Sequence, residues 1–81
     1  MERNLLPLQE LRMGQFGTVK ALLSSSKARR RMLDLGLIED TKVEALRRSP
    51  AGDPTAYEIR GAVIALRSEE AQNVLVEVCN C

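Results

Sequence analysis

The chain has 81 residues with 12 basic and 11 acidic side chains and no histidine, which leaves room for one domain with a modest core, since a domain this small buries only about 60% of its unfolded surface. Charge this closely balanced gives no large field of one sign, and a dedicated nucleic-acid binder would be far more basic. Phe16 and Tyr57 are the only aromatics in a 44% hydrophobic composition, so the core is expected to be built from Leu, Val, Ile, Ala and Met.

Leu5 to Leu11 is apolar but broken by Pro7, and it leads into Met13-Gly14-Gln15-Phe16-Gly17, whose glycines suit a tight turn or bulge. Thr18 to Leu23 reads as a strand with Val19 and Ala21 on one face, turning apolar on both sides toward its end. Any of Ser24, Ser25 and Ser26 suits the cap of a helix predicted over Lys27 to Leu35, and Gly36 ends it. Ala28, Met32 and Leu35 share one helical face, the stripe expected to lie on a core, and Leu33 falls outside it.

Thr41 to Arg48 reads as a second strand in which Leu46 breaks the alternation, the mark of a bulge or of burial on both faces. Ser49 to Pro54 is a loop by its two prolines and glycine. A third strand, Thr55 to Arg60, places Tyr57 and Ile59 together. A fourth follows Gly61, Ala62 to Arg67, with Ile64 and Leu66 as its core residues. Ser68-Glu69-Glu70 opens a second helix of about two turns, with a capping hydroxyl and two carboxylates at the positive end of its dipole. Val74, Val76 and Val78 alternate along a closing strand. Mainly β structure of about five strands with two short helices suits a small closed SH3-like barrel, which removes exposed sheet edges.

The run Arg29-Arg30-Arg31-Met32-Leu33-Asp34-Leu35-Gly36-Leu37 resembles the helix-turn signature of the FeoA family, the small cytosolic partner of the ferrous iron permease FeoB. Lys42 to Arg48, Gly52-Asp53-Pro54, Arg60-Gly61, Ala65-Leu66-Arg67 and Glu69-Glu70-Ala71 follow in the family's order, so the resemblance covers about residues 12 to 78 of a chain read as one FeoA-like, SH3-like domain over residues 1–81. The same module looks like the C-terminal part of iron-dependent repressors of the diphtheria-toxin-repressor type, which carry a DNA-binding domain ahead of it. The resemblance implies an accessory protein of ferrous iron uptake that binds and modulates a FeoB-type permease.

The residues are consistent with such a role and poor in alternatives. No nucleophile stands in a recognisable pairing with a base, so catalytic residues are not expected and the chain is read as no enzyme. Gly14 and Gly17 lack the lysine and helix start of a phosphate loop, and no cofactor is required. The longest apolar stretch, Ala62 to Leu66, is far shorter than the roughly 20 residues that cross a bilayer. The N-terminus lacks the basic start and apolar run of a signal peptide. Cytoplasmic localisation is expected, peripheral to the membrane through the partner and without direct insertion, and no nucleic acid is expected to bind.

Cys79 and Cys81 are then expected to be reduced thiols. As a Cys-x-Cys tail they are weak candidates for a divalent transition metal, since a closed tetrahedral site needs about four ligands and two are missing. A weak homo-oligomer, which would supply more ligands, stays open. The candidates for partner binding are Arg29, Arg30 and Arg31 on the outer helix face together with Leu33, Leu37 and Ile38. The first three carry donor forks suited to carboxylates, and the last three lie beside or just past the basic face. A solvated basic face, with Asp34 neutralising Arg30, is the alternative reading of the same residues.

Overall fold

The computed structural model describes residues 5–23 and 25–79. Along the chain these form β1 (Leu5–Pro7), a 3-10 turn (Leu8–Glu10), β2 (Phe16–Leu22), α1 (Ser26–Asp34), β3 (Lys42–Arg48), β4 (Thr55–Ile59), β5 (Ala62–Leu66), α2 (Ser68–Ala71) and β6 (Val74–Cys79). The six strands make one antiparallel sheet in the order β1-β6-β2-β3-β4-β5. The expected mainly β architecture with two short helices is present, with two refinements. A sixth strand, β1, pairs with β6 and includes Pro7, the proline that obscures it in the sequence. The sheet curls without closing, because β1 and β5 remain its two ends.

Alternation along the strands fixes which face is inside. Val19, Val43, Ala45, Tyr57, Ile59, Leu66, Val74 and Val76 point inward and are at most 1% exposed, and Leu8, Leu11, Met32, Leu37 and Ala71 complete the same cluster. Where alternation fails, the ladder shifts. The β3–β4 register slips between Ala45 and Arg47, so Leu46 sits in a bulge, and the β2–β6 register slips between Val19 and Ala21, where β2 turns apolar on both sides. Ile64 is only partly buried, unlike Leu66.

The β4–β5 hairpin closes through Arg60-Gly61, with φ of 53° and 86°, the doubly left-handed geometry that matches strand twist in a two-residue turn. The far side of the core is sealed by the 3-10 turn and α2. The buried Tyr57 hydroxyl donates to the Leu8 carbonyl at 3.5 Å, and Arg48 donates to the Gln9 carbonyl at 3.2 Å. The second helix is a single turn rather than two, and its start is not capped by Ser68. Arg67 holds the cap position, and its N–H donates to Glu70 Oε1 at 3.1 Å. The Ser68 N–H donates to Asp53 Oδ1 at 2.8 Å, so a carboxylate from the β3–β4 loop serves the helix from outside it.

Candidate functional site

α1 and the turn after it form the surface where the candidate residues gather. Ser25 holds the N-cap position, its backbone carbonyl accepting from Arg29 N–H at 2.7 Å while its side chain makes no capping bond. Ser24 and the side chain of Ser26 lie outside the described residues. At the other end the Gly36 N–H donates to the Leu33 carbonyl and the Leu37 N–H to the Met32 carbonyl, each at 3.0 Å, with Gly36 at φ +98°. This pair of bonds is the Schellman ending, which brings the residue after the glycine against the residue five positions before it.

That ending corrects one candidate. Leu37 is 0% exposed and packs in the core with Met32, so it fixes the turn and cannot touch a partner. The signal was present in the sequence: an apolar residue directly after a helix-ending glycine is the position that folds back on the helix. The expected core stripe is also thinner than the spacing suggests. Ala28 is exposed and Leu35 half-buried, and Met32 alone among the helix's described side chains is buried. The physical reason is placement: α1 meets the core by its C-terminal turn, through buried Met32 and half-buried Leu35.

The remaining candidates are on the surface. Arg29, Arg30 and Arg31 are exposed, Leu33 is 38% exposed and Ile38 41% exposed. Arg29 Nη1 donates to the Leu22 carbonyl at 3.4 Å, which ties the helix to the end of β2. Arg29 and Leu33 line, with Val19 and Leu22, a hollow of about 260 Å³ between helix and sheet. Arg31 reaches the other way and pairs with Glu70 Oε2 at 3.1 Å across a groove between α1 and α2. The expected Arg30 to Asp34 pair does not form among the described residues, leaving the Arg30 guanidinium free. The turn carrying Ile38 is fastened to β2, since Asp40 N–H donates to the Val19 carbonyl at 2.7 Å and Lys20 Nζ pairs with Asp40 at 3.1 Å. The result is a basic helix face beside an apolar step, held rigidly at its C-terminal end.

Cys79 departs from the expected reduced state. Cys79, at the end of β6, is disulfide-bonded, and none of the described cysteines is a free thiol. Cys81 lies outside the described residues, and no group of three or more potential metal ligands occurs among those described.

A small SH3-like barrel with an exposed helix-turn surface is the class of protein that these features define. The FeoA domain model matches residues 6–78, and the chain belongs to that family, which is associated with ferrous iron transport. It is 33% identical to a FeoA-like protein from Clostridium acetobutylicum, with a TM-score of 0.86 over 96% of this chain and 90% of that one. The FeoA of Stenotrophomonas maltophilia, described as an SH3 domain protein and solved with zinc, is 27% identical at a TM-score of 0.76, covering 86% of this chain and 87% of that one. The IdeR of T. acidophilum, 14% identical, shares the fold at a TM-score of 0.82 over 98% of this chain and 36% of its own length. Comparison with curated proteins finds no match. No helix among the described residues is long and apolar enough to cross a membrane.

Proposed function

We propose that this chain is a cytosolic accessory protein that binds a FeoB-type permease and modulates ferrous iron uptake by contact rather than catalysis, acting as one unit over its length. One observation carries this reading: α1 turns Arg29, Arg30 and Leu33 to solvent while its C-terminal turn is locked to the core through Met32 and Leu37. A rigid surface of this mixed character suits a protein partner, with the arginines meeting carboxylates and Leu33 and Ile38 covered on docking. Binding one state of the permease more tightly than another then couples docking to transport.

The test is co-purification with the cytosolic part of a FeoB-type permease, comparing the native chain with Arg30→Glu and Leu33→Asp. Native chain is expected to be retained and each variant to bind about tenfold more weakly, as for residues at the centre of an interface. Retention of both variants at the native level would remove this surface from the interaction, and absence of native retention would remove the interaction itself.

A further inference from the structure

The flank of α1 that faces β2 forms a trough whose two ends are fixed by hydrogen bonds. At one end Arg29 Nη1 donates to the Leu22 carbonyl at 3.4 Å, and at the other the Asp40 N–H donates to the Val19 carbonyl at 2.7 Å. Between them Ala21 and Leu22 of β2 and Leu33 of α1 line the hollow of about 260 Å³. Leu33 is exposed while Ala21 and Leu22 are half-buried, so the middle of the trough offers an apolar seat that solvent reaches.

The two ends carry opposite charge. Arg29 lines the hollow at the Leu22 end, is exposed, and forms no ion pair among the described residues. Its bond to the Leu22 carbonyl occupies one of five N–H groups and leaves the rest of the fork open. Glu39, beside Asp40, lines the hollow at the Val19 end. It is also exposed, and its carboxylate has no ion pair among the described residues. Lys20 stands at that end too, but Asp40 at 3.1 Å and Glu77 at 3.8 Å already hold its ammonium group. A carboxylate entering the trough is thus attracted at one end and repelled at the other, and a cation the reverse.

We infer, on the reading that the α1 surface docks a protein, that the trough binds an extended segment of that partner in which one apolar residue stands between an acidic and a basic one. The acid meets Arg29, the apolar side chain rests against Leu22 and Leu33, and the base meets Glu39. Glu39, outside the basic cluster, therefore selects for the mixed charge by repelling a segment that is acidic at both ends. A second copy is a poor occupant. Glu10-Leu11-Arg12, Lys42-Val43-Glu44 and Glu58-Ile59-Arg60 carry the required charges, and each buries its central residue in the core.

Three capped peptides titrated into the isotope-labelled full chain and followed by amide resonances test this: Glu-Glu-Ser-Leu-Ser-Lys-Lys, and the same peptide with glutamates or with lysines at both ends. Saturable binding of the mixed peptide in the millimolar range is expected, with shifts at Ala21, Leu22, Arg29, Leu33 and Glu39. A preference of about threefold over either single-sign peptide is expected, the scale of one exposed ion pair. Arg29→Glu is expected to turn the preference to the lysine-ended peptide, and Glu39→Arg to the glutamate-ended one. Ala21→Leu, which fills the seat and leaves both charges in place, is expected to weaken all three peptides alike, in a chain whose fold is checked by its melting curve. The inference is overturned by absence of saturable shifts, by shifts lying outside the trough, by a native chain that does not prefer the mixed peptide, or by charge reversals that leave the preference unchanged. Shifts at the same amides that grow with protein concentration alone also overturn it, assigning the trough to a second copy. Co-purification reads the permease separately: native retention without peptide selectivity overturns the inference and leaves docking standing, whereas selectivity without retention keeps the trough and removes the permease.

Discussion

The fold alters the acidity of Tyr57. Burial raises its hydroxyl pKa above the ordinary 10.0, while a hydrogen bond with Thr55 and the charge on Arg48 pull the other way and Asp53 adds to the rise. The unfolded chain ionises this hydroxyl first as pH climbs, so the folded state binds the extra proton above pH 10. Stability from this group is therefore complete below that pH and is lost as pH rises through the window between the unfolded and the raised folded value. The native chain is expected to denature more readily from about pH 10 upward, and Tyr57→Phe is expected to flatten that decline in stability. At neutral pH the same substitution should cost under about 1 kcal/mol, because the lost bond to Leu8 is long at 3.5 Å. An unchanged alkaline decline in the variant would show that another group drives it.

Two neighbouring leucines make the contrast between core and surface measurable. Leu37 is fully buried and Leu33 is 38% exposed. Leu37→Ala is expected to lower unfolding free energy by about 3 kcal/mol, and Leu33→Ala by no more than about 0.5 kcal/mol. Urea titration distinguishes them, and equal losses would place Leu33 in the packing rather than on the docking surface.

At the scale of elements, the two helices are held by different means. α1 depends on its C-terminal Schellman turn and one buried methionine, supported by the exposed Arg31 to Glu70 pair, worth under about 1 kcal/mol at such exposure. α2 has four residues, too few to stand on propensity, and leans on Asp53 from a loop 15 residues earlier. Asp53→Ala is expected to cost about 1 kcal/mol and to raise amide exchange at Ser68–Ala71 before any change in the strands. Exchange that instead rises uniformly would mean that the carboxylate supports the whole sheet. The helix start was legible in Ser68-Glu69-Glu70; the partner of its first amide was not, because no local rule links position 53 to position 68.

For the whole molecule, charge is nearly balanced at 12 basic against 11 acidic residues, so recognition must come from how the charges are grouped. The co-purification described above should accordingly weaken as salt rises through about 0.1 to 0.3 M, where screening acts over roughly 10 Å or less. The arginines of α1 are adjacent in the sequence and could be read there.

The sequence by itself determined five of the six strands, the irregularity at Leu46 and the helix-ending role of Gly36, because these follow from side-chain period and backbone sterics within a few residues. It also carried the family, through an ordered set of short motifs. Tertiary structure decided that Leu37 goes inside, that Ala28 stays out, that β1 joins β6 and that the sheet stops short of closing. Those outcomes depend on which elements meet across the core, and burial against a distant element is a property of the packed chain that no local pattern contains.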